Sequence, residues 1–175
     1  MKDLRYPIGK FGYSAPASES DLGLWLSQIG AAPALLRDAV RGLSAAQLDT
    51  PYRPEGWTLR QVVHHVADSH INSYVRFRLA LTENEPVIKP YDETLWAQLS
   101  DAHSAPVELS LDLLASLHQR WMLLLNGLGA AELARAFRHP EMGLVTLEKT
   151  LALYAWHGRH HVAHITSLKS RLGWA

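Results

Sequence analysis

An all-α fold, specifically a four-helix bundle, is predicted by three observations on the sequence. Four long segments repeat apolar residues at helical spacing, and no segment alternates apolar and polar residues over a useful length. In addition, SAAQLDTPYRPEGWTLRQVVHH, from Ser44, and GAAELARAFRHPEMGLVTLEKT, from Gly129, share an order: an AAxL turn, a proline-containing loop, then Thr-Leu opening a long helix. Two independent helix-start signals would give the same match. If the match is more than that, it relates two helix-pair halves by a pseudo-twofold and demands one long crossover between them.

The first helix is expected from about Asp21 to Arg41, with Leu22, Leu26, Ile29, Leu35, Leu36, Ala39 and Val40 as its apolar stripe. Pro33 predicts a kink in it, and Gly42 its end. The second opens at Thr58, where Gln61 has the three-residue spacing of a capping box, and runs to about Thr82 before Pro86. A connection from Asn84 to Ala105 follows; it contains KPYDETLWAQL, which suits a short helical turn, and connections of that length often carry function. The third helix spans about Pro106 to Leu128, with Leu109, Leu113, Leu114, Leu117, Trp121, Leu124 and Leu125 apolar and Gly127 and Gly129 at its exit. The fourth runs from about Thr146 to Leu172 and stops at Gly173.

The chain of 175 residues suits a single domain over residues 1–175, in which residues 1–20 form an arm packing on the bundle. Lys plus Arg and Asp plus Glu both total 17, so no basic excess exists to hold a polyanion, and nucleic acid is not an expected partner. With no cysteine, disulfides and thiolate ligands are excluded, and any metal must use imidazole, carboxylate or water. The opening MKDLRYPIGKFGY has neither the apolar run of a signal peptide nor that of a membrane helix, so no membrane partner and a cytoplasmic location are the expectations.

Four of the ten histidines fall in WHGRHHVAHI, residues 156–165. At 100° per residue, His157, His161 and His164 share an arc with Tyr154, Ile165 and Leu168, while Arg159, Thr166 and Ser170 lie opposite. These imidazoles therefore occupy the core-facing stripe, where each polar nitrogen needs a partner. His157 and His161 are one turn apart and can converge on one ion. His160 sits roughly 60° off the arc. It is expected to orient the site or to meet solvent.

On the second helix His65, Ser69, Asn72 and Arg76 form a polar stripe beside the apolar arc of Val62, Val66, Tyr74 and Phe77. His65 is thus the best third ligand, whereas His64 and Arg78 project elsewhere. His70 falls within the apolar arc, where a packed histidine with one backbone hydrogen bond is expected. Asp68, one turn from both His64 and His65, is either an orienting carboxylate or an ordinary surface one.

At GWTLRQVVHHVADSH and WHGRHHVAHITSLKSRLGW the chain resembles the DinB-like helical bundles, and in particular their YfiT branch of metal-dependent hydrolases. YPIG, LDTPYRPEGWT, NSYVRFRLALTE, PYDE and RHP are similar as well, so the likeness covers almost the whole chain. It implies a four-helix bundle, metal ligands at His65, His157 and His161, one divalent ion per subunit with zinc (Zn2+) or nickel (Ni2+) as candidates, and a homodimer. It also implies a polar group three positions after the second ligand of the pair, which here is His164.

A three-histidine site with an open position can activate water, which makes hydrolysis of a small-molecule substrate the first expectation. The same position could present a thiolate, and some relatives of this family resemble S-transferases that use a low-molecular-weight thiol such as bacillithiol. A non-catalytic structural metal is the third reading, favoured if His164 closes the site as a fourth ligand. For either reaction the candidates for a base or orienting group are His164, Asn72 and Arg76; Arg76 could hold an anionic part of the substrate or bridge two helices. Tyr91 and Asp92 could close over the site, and Asp92 could equally cap a helix.

Overall fold

The computed structural model describes residues 3–174; Met1, Lys2 and Ala175, at the two ends of the expected domain, lie outside them. Four long helices make the bundle: α1 (Glu19–Val40), α3 (Leu59–Thr82), α6 (Val107–Leu125) and α8 (Leu147–Leu172). Each boundary has a local cause. Ser18 and Asp21 form a capping box at α1, Thr58 and Gln61 form the expected one at α3, Thr146 accepts from the Lys149 N–H at α8, and Gly173 ends α8 at φ 66°. Pro33 lies inside the unbroken α1. Because proline has no N–H, the Ile29 carbonyl loses its donor four residues on.

The two halves repeat an order. The short α2 (Ala45–Leu48) leads through an isolated antiparallel bridge, Pro51 with Thr58, into α3. The short α7 (Ala130–Leu133) leads through a hairpin into α8. That hairpin pairs β1 (Ala136–His139) with β2 (Gly143–Thr146) in the register Ala136 with Thr146 and Phe137 with Val145. It corrects the expectation that the chain has no strand: two four-residue strands are too short to show an alternating pattern, and Phe137 and Val145 bury their side chains beside residues that stay exposed. α1 packs along α8 and α3 along α6, the exchange that a pseudo-twofold requires.

The connection from α3 to α6 carries two short helices, α4 (Glu93–Trp96) and α5 (Ser100–Ser104). It is tied to the hairpin, because the Ile88 N–H donates to the Arg138 carbonyl and the Arg138 N–H to that of Pro86. This anchoring delivers Pro90 to Thr94 to the mouth of a cavity between the helices.

The apolar interior is two clusters, one around Ile29, Phe77, Trp121 and Leu151, the other around Leu36, Val62, Leu114 and Ile165. Along α3, α6 and α8 the two are separated by histidines, His70, His118 and His157 to His164, with His65 at the edge of the second cluster. The bundle therefore has a polar layer across its middle. The N-terminal arm crosses α8 at that level, with Trp156 Nε1–H donating to the Gly9 carbonyl and Phe11 against the Trp156 ring.

Candidate metal centre

One turn of α8 places the His157 and His161 rings 4.5 Å apart between centroids, and α3 brings the His65 ring to 5.4 and 4.8 Å from them. One nitrogen from each ring lies within 4.8 Å of the other two. Among the described residues no carboxylate or fourth imidazole joins that group. Trp57, from the turn before α3, packs against His65 at 4.7 Å and lines the same cavity. The cavity measures about 830 Å³, a size that suits a small molecule. Arg76, Tyr91, Asp92, His160 and the hairpin residues Glu141 and Met142 complete much of its wall.

Burial keeps these imidazoles neutral. It pushes His65 down to about 4, with the charges of His160 and His164 adding to the effect, and it holds His157 and His161 well below the ordinary histidine range, with their histidine neighbours second. A neutral imidazole keeps the lone pair that a metal ion requires. For His157 and His161 the nitrogen left for an ion is Nε2, since Nδ1 of each meets another histidine, His70 Nε2 at 3.2 Å and His164 Nδ1 at 3.3 Å, and His157 Nε2 has only the Ser69 hydroxyl at 3.5 Å. Three neutral imidazoles with no carboxylate in the group fit a divalent borderline ion.

The other expected residues are distributed differently. Arg76 lines the cavity and makes no ion pair among the described residues, so it does not bridge helices. Asn72 does not reach the site, because its side-chain amide donates back to the Asp68 carbonyl at 2.9 Å. His164 lies behind His161, stacked on Tyr52 at 4.0 Å, with Nε2 donating to the Arg5 carbonyl, and it lines a separate surface cleft. His160, the off-arc residue, is buried against Trp156 and lines the cavity, and its Nδ1 has no partner. His160, His161 and His164 also bring one nitrogen each within 4.8 Å, but Nδ1 of His161 and both nitrogens of His164 are already engaged. Asp92 does both things expected of it, capping α4 by accepting from the Leu95 N–H and facing the cavity.

His64 points away, to the Ser110 hydroxyl and the Ala105 carbonyl. Asp68 makes no bond to His65; it faces a cleft with His64 and Asp101. His70 is fully buried, yet its partners are His118 at 2.8 Å and His157, not a backbone group. His118 is the residue that sequence reasoning missed. Its signal was present, a histidine on the α6 apolar stripe four residues after Leu114 and three before Trp121. Ser69 lies 3.5 Å from His157 Nε2 and is tied to Tyr154.

Fold and site together define a class, the four-helix bundles with a long crossover that gather histidines from two helices at one cavity. The chain belongs to the DinB superfamily, whose sequence pattern matches residues 28–165, and to its YfiT-like branch. It is 55% identical over 174 residues to a Bacillus cereus (strain 03BB102) protein named "Putative metal-dependent hydrolase", covering 99% of this chain and all of that one. YfiT from Bacillus subtilis, described as a probable metal-dependent hydrolase with an unusual four-helix bundle topology, superimposes with a TM-score of 0.96 at 48% identity. That match covers 98% of this chain and 99% of YfiT. A second four-helix bundle protein, TT2238, shares the fold at a TM-score of 0.58 and 20% identity, over 83% of this chain and 98% of its own.

Proposed function

We propose that the protein is a metal-dependent hydrolase of a small molecule, with His65, His157 and His161 as ligands of one divalent ion, zinc or nickel. The observation that carries this reading is the convergence of three neutral imidazoles on an 830 Å³ cavity, with no fourth protein ligand among the described residues. An ion held there would supply Lewis acidity and lower the pKa of water toward neutrality. The catalytic rather than the structural reading is supported by His164, whose two nitrogens are committed to His161 and to the Arg5 carbonyl.

The chain's own groups define the rest. Arg76 Nη groups would hold an anionic part of the substrate. Tyr91 and Asp92, together with the hairpin tip, would exclude bulk water from one side of the cavity. His160, 4.9 Å from His161 between ring centroids, is the imidazole placed to take a proton, a role that the positions of Asn72 and His164 do not support.

His65→Ala, His157→Ala and His161→Ala should each strip the ion from purified protein, and elemental analysis reads this directly. Full retention in all three sinks the assignment. His64→Ala should keep its metal while losing about 1–2 kcal/mol of stability, because it abandons Ser110 and the Ala105 carbonyl. The metal-loaded protein should cleave activated esters or amides without added thiol. Turnover that appears only with a small thiol, and consumes it, would replace hydrolysis by thiol transfer.

A further inference from the structure

Three buried histidines outside the wall of the metal-facing cavity, His70, His118 and His164, form two chains with a defined polarity. The first begins at Pro33, which leaves the Ile29 carbonyl without its helical donor. His118 Nδ1 lies 2.9 Å from that oxygen. A carbonyl only accepts, so His118 carries its proton on Nδ1 and its Nε2 is a bare acceptor. His70 Nδ1, 2.8 Å away, must then donate, which leaves His70 Nε2 bare, 3.2 Å from His157 Nδ1. The proton of His157 therefore sits on Nδ1 and its lone pair on Nε2.

The second chain repeats this on the other ligand. The Arg5 carbonyl lies 3.1 Å from His164 Nε2, so His164 is protonated there and bare at Nδ1. His161 Nδ1, 3.3 Å away, must donate, and its lone pair is also on Nε2. The opposite polarity would place a cation on His118 or His164, and among the described residues no carboxylate hydrogen-bonds to any ring of either chain. His118 is 2% exposed and His164 4%, so an uncompensated charge at either is strongly disfavoured.

We infer that His118, His70 and His164 are positioning residues, which lock His157 and His161 in the Nδ1–H tautomer by passing the polarity of two backbone carbonyls, Ile29 and Arg5, through buried imidazoles. The inference rests on the proposed metal site for its purpose. Ligand histidines usually give their second N–H to a carboxylate, a carbonyl or water. Here neutral histidines take that role. Both ligands on α8 are thereby oriented before any ion arrives, without a carboxylate hydrogen-bonded to either ring among the described residues. His65 makes no such bond among the described residues and is the ligand left free to adapt.

Long-range 15N–1H correlation spectra of the metal-free full chain above neutral pH read the tautomers directly. In the wild type His157 and His161 should each show a protonated Nδ1 and a bare Nε2. His70→Phe should abolish that preference at His157 and leave His161 unchanged, and His164→Phe should do the reverse. His70→Gln, whose amide can accept from His157 and donate to His118, should restore it. The Phe variants should also weaken Zn2+ binding about 10–100-fold. An Nε2–H tautomer at either ligand in the wild type overturns the inference, as do variant spectra that match the wild type. If a Phe variant fails to fold, the wild-type spectrum and His70→Gln still decide. Because the spectra need no ion, a wild-type protein that binds no Zn2+ would refute the metal site and leave the tautomer result standing.

Discussion

Asp68 and His65 lie one turn apart on α3, yet their environments have opposite consequences. Burial pushes the Asp68 carboxyl up to about 6, and the nearby Asp101 adds like-charge repulsion. A carboxyl raised in the fold adds stability only while protonated: its contribution is present below about 3.8 and is lost as the pH rises through about 6. At pH 7 the ionised group therefore opposes folding. Asp68→Asn should stabilise the protein at pH 7 by on the order of 1 kcal/mol, a value reduced for the solvent that still reaches the side chain. Urea unfolding at pH 7 and pH 4.5 tests this; a gain that does not shrink at the lower pH contradicts it. Residue-level legibility followed from helical phase alone for His65, His157 and His161. It failed for His118, whose purpose depends on a carbonyl 89 residues earlier that another residue, Pro33, has left unpaired. It failed for Asn72 as well, since a helix wheel gives a direction but not a competing backbone acceptor one turn away.

The four long helices were legible because their ends carry chemistry that acts locally: the Thr58 and Gln61 box, the Thr146 cap and Gly173. The hairpin was not, because its strands depend on pairing and on the crossover segment docked along Arg138. Helix separation is also nonlocal, and at one point it depends on a missing side chain. A Cβ on Gly158 would stand 3.0 Å from the Ala32 Cβ, closer than two carbons comfortably approach, and neither atom can rotate away. Gly158→Ala gains about 1 kcal/mol of helix propensity and loses about 1–3 to overpacking, so a net loss near 1 kcal/mol is expected. Since His157 and His161 flank this contact, metal affinity should fall with it. Ala32→Gly restores the clearance, so the double variant should be more stable than the sum of the two single effects. Simple additivity in chemical denaturation would show that α1 and α8 do not meet there as closely as described.

Across the whole molecule, two apolar clusters are joined through a layer of histidines, and that layer sets how the protein responds to acid. Among the described residues no helix is long and apolar enough to cross a membrane. Eight of the ten histidines are held below their ordinary range, each chiefly by burial, and His65, His118 and His160 reach about 4. For such groups the fold prefers the neutral form. Above about 6.5 folded and unfolded chains are alike; below it the unfolded chain takes up protons that the fold refuses, and stability falls until about pH 4. Each refused proton costs about 1.4 kcal/mol per pH unit, so three of them remove about 4 kcal/mol over one unit, a large part of the 5–15 kcal/mol typical of a domain. Asp68 acts in the opposite direction over the same range, but it is one group against several. Metal-free protein should therefore unfold cooperatively between pH 6.5 and 4, taking up several protons as it does so. Zn2+ should raise the stability at pH 7 through binding to neutral imidazoles and should steepen the loss in acid, because protons compete for the same nitrogens. Denaturation midpoints measured from pH 7.5 to 4.5 with and without the ion provide the test. A metal-free profile that stays flat to pH 5 would mean that solvent reaches these imidazoles and that they ionise within the folded protein.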